Sequence, residues 1–154
     1  MPTRPPIPTA DQFRYHCDIE VRFRDLDAMG HVNNAVYFTY FEVGRSGYTR
    51  AAGLAPDDED VPQRRYPFIL LDARCRFLAA ISINDELRLY VRTSHIGTKS
   101  SIFEYLLTRK SDGEALAVGH TTLVAFDYAA GRTMPMPDDL RSAIEAFEGS
   151  SQAG

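Results

Sequence analysis

Apolar and polar residues alternate over residues 15–23. Cys17, Ile19, Val21 and Phe23 fall on one side, and His16, Asp18, Glu20 and Arg22 on the other. A period of two is that of a half-buried strand. A polar stretch, residues 25–34, interrupts the alternation. The period then changes: Val36, Tyr37, Tyr40, Phe41, Gly44 and Tyr48 recur at steps of three and four and share one face of a helix. The helix is predicted to start near Asn34. Asn33 or Asn34 can cap it, because a short amide side chain accepts from the unpaired N–H groups of the first turn. Gly53 is the expected stop. Gly44 and Gly47 cost helix propensity, which makes sense where a sheet packs closely on the helix.

Residues 55–66 read as a polar loop with an acidic run, a solvated connection. Arg64 and Arg65 at its end could touch an anionic ligand. From residue 67 on, the chain reads as a meander of strands over 68–78, 87–96, 100–109 and 115–128. In the second, Leu87, Leu89, Val91 and Thr93 alternate with Arg88, Tyr90, Arg92 and Ser94. Ser111, Asp112 and Gly113 form a hairpin signal between the last two. A loop over 129–137 leads to a short helix that Asp138 and Asp139 open, since acidic residues suit a helix N-terminus. Strands joined by short turns must pair antiparallel. One long helix against such a sheet makes an α+β domain, expected over residues 12–148. Residues 1–11 are an expected disordered or extended arm, and 149–154 a frayed tail.

Composition narrows the function classes. The chain has 154 residues and a net charge of −4, which fits one domain and speaks against nucleic-acid binding through bulk charge. It leaves room for a local basic patch. Two cysteines, Cys17 and Cys75, are too few for a disulfide framework and are read as free thiols in a reducing compartment. No Cys–His spacing suggests a metal. No apolar run is long enough to span a membrane. The proline-rich N-terminus lacks the apolar core of a signal peptide, so the expected location is the cytoplasm. His16, His95 and His120 lie on predicted strands and are read as structural.

The turn concentrates the chemistry. Residues 24–42 combine two carboxylates in the turn (Asp25, Asp27), a glycine, a histidine (His31), two amides and a helix start. Unpaired N–H groups at a helix N-terminus can stabilise an oxyanion developing on a carbonyl. A carboxylate nearby can attack that carbonyl or activate water against it. Gly30 lets the turn fold back to bring the two together. The same residues are also ordinary turn and cap formers.

The pattern of an alternating strand, Asp25, Asp27, Gly30, Val32 and Asn34, then Tyr37, Tyr40, Phe41 and Glu42, resembles the hotdog-fold thioesterases, in particular the 4-hydroxybenzoyl-CoA thioesterase-like group. The run Gly30-His31-Val32-Asn33-Asn34 looks like the acyl-CoA and acyl-carrier-protein branches. The match is specific over about 25 residues, and the element order extends it across residues 12–130. The resemblance implies a hotdog fold, a long central helix wrapped by a mainly antiparallel five- to six-stranded sheet. It implies hydrolysis of an acyl-CoA, or of an acyl carrier protein thioester, without cofactor or metal, by a homodimer or homotetramer with sites between subunits.

Within that resemblance Asp27 is the catalytic carboxylate, as nucleophile through a mixed anhydride or as general base. The backbone N–H of Asn34 polarises the thioester carbonyl, and Gly30 is the turn glycine. His31 is an orienting or polarising group, or a plain turn histidine. Asn33 holds the turn or the substrate, Asp25 supports the turn, and Tyr37 is core or acyl-pocket wall. Thr98, Lys99 and Ser100 would bind the CoA moiety, or form an ordinary hairpin turn. Two other readings are a hotdog hydratase of enoyl thioesters, whose Asp and His sit in a different turn, and a non-catalytic acyl-thioester binding module. Asp27 speaks against the module.

Overall fold

The computed structural model describes residues 3–54 and 67–149. The expected loop over 55–66, with Arg64 and Arg65, and the tail from residue 150 lie outside them. Strand β1 spans Tyr15–Glu20, helix α1 Val36–Ala51, β2 Phe68–Phe77, β3 Glu86–Ile96, β4 Ser100–Arg109, β5 Ala115–Asp127, β6 Arg132–Thr133 and α2 Asp138–Glu148. The sheet order is β1-β3-β4-β5-β2, with β6 added to β5. All pairings are antiparallel.

Period-two patterning puts Leu87, Leu89, Val91 and Thr93 of β3 on the inner face with no exposed surface. Phe103, Tyr105 and Leu107 of β4 line up beside them. The face of α1 that carries Tyr37, Tyr40, Phe41, Gly44 and Tyr48 packs onto this row. Each such side chain removed from water contributes about 1.5–3 kcal/mol. The helix comes close because Gly44 has no side chain: a Cβ there would overlap Leu89 Cδ2 and stand 2.9 Å from Val91 Cγ2. Gly119 on β5 does the same for the Phe41 ring, which stacks on Tyr105 with centroids 4.6 Å apart. Gly53 ends the helix at φ +74°.

Helix α2 closes one end of the core. Its last residue, Glu148, is buried and accepts from the Tyr48 hydroxyl at 2.5 Å and the Thr93 N–H at 2.8 Å. The N-terminal arm is extended and crosses the outer face of the sheet. Phe13 packs on Leu106 and Val118, and the Pro5 carbonyl accepts from Arg76 of β2. On that outer face Glu104 bridges Arg92 and His120. Burial pushes the Glu104 carboxyl up, but His120 and Arg92 outweigh it and hold it below the usual range.

Two details differ from the sequence-based expectation. β1 stops at Glu20, so Phe23 leaves the inner face and is 85% exposed. The loop over 129–137 contains a two-residue strand, β6, too short to leave a period. Among the described residues no helix is long and apolar enough to cross a membrane.

Candidate active site

The turn between β1 and α1 is built on Asp25. Its side chain is buried and accepts from the Arg22 N–H at 2.9 Å, the Arg22 guanidinium at 3.3 Å and the Tyr40 hydroxyl at 2.8 Å. Burial pushes this carboxyl up, and those donors outweigh it to hold it below the usual range. The Asp25 carbonyl accepts the Asn33 N–H. Asp25 therefore ties the turn to the helix, as expected.

Asp27 sits differently, exposed at the rim. Its Oδ1 accepts from the Met29 N–H at 2.9 Å and the His31 N–H at 3.4 Å. The Asp27 backbone bonds the His31 carbonyl at 2.8 Å. One carboxylate oxygen is thus oriented, and Oδ2 has no partner among the described residues. Gly30, at φ +81°, lets the chain reverse here. The turn is pinned to the far wall by the Val32 N–H, which donates to the Ile81 carbonyl at 2.9 Å.

Asn33 is the cap. Its side-chain oxygen accepts the Ala35 N–H at 2.9 Å and its carbonyl accepts the Val36 N–H at 2.9 Å. The Asn34 N–H, at the open end of the helix, has no partner among the described residues. Asn33 consumes two donors, and Asn34 presents a free one where the peptide dipoles of the helix converge.

Asp27, His31, Val32, Asn34 and Tyr37 line one side of a cleft of about 400 Å³. Phe77, Leu78, Ala79 and Ala80 line the other. Tyr37 meets Phe77 edge to face at 4.8 Å. The structure thus brings Asp27, His31, Asn34 and Tyr37 together, with Gly30 and Asn33 shaping the turn behind them. The wall over 77–80 was not singled out from the sequence. It reads there as the end of an apolar strand at residue 78 and the start of the turn that follows, and nothing local marks it.

Thr98, Lys99 and Ser100 are elsewhere. They form the turn between β3 and β4, whereas the cleft lies where β1 and β2 end and β3 begins. The two places are separated by the length of β3, on the order of 30 Å. Lys99 is exposed, with Nζ 3.4 Å from the Thr133 hydroxyl. Among the described residues no group of three His, Cys, Asp or Glu side chains is placed to hold a metal.

Comparisons with known proteins agree with this architecture. Residues 21–144 match the family model of the thioesterase-like superfamily. A thioesterase from Thermus thermophilus, crystallised with coenzyme A and zinc, superposes with a TM-score of 0.78 at 34% identity, over 90% of this chain and 98% of that one. The long-chain acyl-CoA thioesterase FadM of Escherichia coli is 24% identical over 82% of this chain and 94% of its own length. The uncharacterized protein YsmA of Bacillus subtilis is 26% identical over 86% of each. The curled antiparallel sheet around one long helix is the hotdog fold expected from the turn motif. With the family model spanning both the turn and the sheet behind it, the chain belongs to the thioesterase-like superfamily and is a thioester hydrolase.

Proposed function

We propose that the protein hydrolyses acyl-CoA thioesters, of fatty or aromatic acids, in the cleft between Asp27 and the start of α1. One observation carries this reading: a carboxylate with one oriented and one unengaged oxygen shares a cleft with the unpaired N–H of a helix start. The thioester carbonyl accepts from the Asn34 N–H, which stabilises the charge that develops on its oxygen. Asp27 either adds to the carbonyl carbon, expelling the CoA thiolate and leaving an anhydride that water opens, or takes a proton from the water that adds. In both routes the thiolate leaves and is protonated, and the acid is released. His31 orients the carbonyl or the water from the rim, and Tyr37 and Phe77 wall the acyl group. FadM and the Thermus protein, named for long-chain acyl-CoA and bound to coenzyme A respectively, support the choice of CoA as carrier.

The site requires two copies of the chain. Thr98, Lys99 and Ser100 cannot meet Asp27 within one protomer. Among the described residues β2 is an outer strand of the sheet, and it exposes Leu70 and Leu71, at 51% and 64%. Antiparallel pairing of β2 with its two-fold mate turns the partner's Gly97–Ser100 end toward this protomer's cleft. Lys99 can then meet a CoA phosphate. Two such dimers could assemble further into a tetramer. The cytoplasm, where thiols stay reduced, suits the free Cys17 and Cys75.

The test is release of free thiol from a panel of short, long and aromatic acyl-CoAs. Asp27→Asn should lose at least about a hundredfold in kcat while keeping its melting temperature. Near-full activity in that variant would remove Asp27 from its role, and no cleavage of any ester by the native chain would end the reading.

A further inference from the structure

α1 lies chiefly over β1 and β3, so the inner face of β2 is only partly covered. Cys75 and Ala73 are half-buried there, and Phe77 is 46% exposed. Phe77, Cys75 and Ala73, paired with Ala117, Gly119 and Thr121 of β5, thus form a partly exposed strip that runs from the cleft along the inner face of β2. On α1, Arg45 follows Tyr37 and Phe41 at four-residue steps and is half-buried. Its guanidinium donates to the Tyr105 hydroxyl at 3.1 Å, and Tyr105 lies 2.7 Å from the Thr121 hydroxyl. Thr121 is paired across the sheet with Ala73 of β2, which puts the group beside that strip.

The group has more donors than acceptors. Arg45 offers five N–H bonds, and the hydrogen bonds among the described residues use one. Tyr105 and Thr121, 0% and 2% exposed, hold two hydroxyl protons but share one bond, so one proton has no acceptor there. No carboxylate among the described residues comes within ion-pair distance of Arg45. A cation beside a partly exposed apolar strip, backed by a surplus hydroxyl proton, is complementary to an anionic oxygen pair.

We propose that Arg45, held by Tyr105 and Thr121, receives a carboxylate at the far end of the acyl group, so that the preferred substrates are ω-carboxyacyl thioesters. This rests on the thioesterase reading above. Arg45 lies about 16 Å along the helix axis from Asn34, and helical side chains lean toward the N-terminus, which leaves roughly 10 Å between the thioester carbonyl and the guanidinium. A straight acyl chain of medium length spans that gap.

The experiment compares octanoyl-CoA with the CoA monothioester of octanedioic acid. Thiol release gives the ratio of kcat/KM for the two, and calorimetry on the Asp27→Asn protein gives the ratio of affinities. The native chain should favour the carboxylate-ended ester by about tenfold or more. Arg45→Met should erase or invert the preference, Arg45→Lys should restore part of it, and Tyr105→Phe should weaken it. An equal ratio in native and Arg45→Met proteins overturns the proposal. So does an Arg45→Met protein that falls to half its native mass in light scattering with the ratio unchanged, because Arg45 would then serve a subunit contact. If neither ester is hydrolysed, the thioesterase reading fails, and the calorimetric ratio still decides the role of Arg45.

Discussion

Asp25 is 2% exposed and surrounded by donors, whereas Asp27, two positions on, meets solvent and leaves one oxygen unengaged. The same side chain therefore has two predicted phenotypes. Removing the buried partner of a hydrogen-bonded network leaves its donors unpaired, so Asp25→Ala should lower stability by about 2–4 kcal/mol. Urea unfolding measures this, and an unchanged midpoint would refute the anchoring role. The pH dependence has a fixed sign. A carboxyl held below its unfolded value contributes stability that is complete above that value and is lost as pH falls through the folded one. Asp25 and Glu104 are both held low. Stability should therefore be level near neutrality and decline below about pH 4, with a shallower decline in Asp25→Asn. Differential scanning calorimetry across that range reads both.

Between α1 and β3 the spacing is set by a missing side chain. Ala for Gly in a helix gains about 1 kcal/mol of propensity. At Gly44 the added methyl would overlap Leu89, itself fully buried and unable to swing away. Overpacking of this kind costs about 1–3 kcal/mol, so Gly44→Ala should be destabilising by roughly 1 kcal/mol net, against the propensity scale. A stabilised variant in thermal melts would show that the helix can rise off the sheet. The elements themselves were readable because each has one buried face. β3 alternates from Leu87 to Thr93, before a bulge shifts its register, and α1 keeps its stripe from Tyr37 to Tyr48. Phe23 misled because alternation says nothing of where pairing stops: the Asp25 carboxylate captures the Arg22 N–H and turns the chain out of the sheet. The turn residues Asp27, His31 and Asn34 line one cleft because a single local turn carries them. The opposite wall, Phe77 to Ala80, could not be read from the sequence, since tertiary contacts bring it there: the Val32 bond to Ile81 and the Tyr37 ring on Phe77. Sequence proximity likewise gave no hint that Thr98 to Ser100 lie at the far end of the sheet.

At the scale of the molecule the unfinished feature is the β2 edge. Leu71 is the extra residue of a bulge between Leu70 and Asp72, and it is 64% exposed. A charge there, Leu71→Arg, should halve the mass seen by light scattering and abolish thiol release together, while leaving the circular dichroism of the fold intact. A monomeric variant with full activity would show that one chain suffices. The proposed centre, assembled from opposite ends of two sheets, would also tie turnover to how much protein is present. Specific activity should be constant at high enzyme concentration and collapse below the dissociation constant of the pair. Lag phases on dilution would report the exchange of subunits. Control of expression level would then act on catalysis more steeply than in proportion to the number of chains.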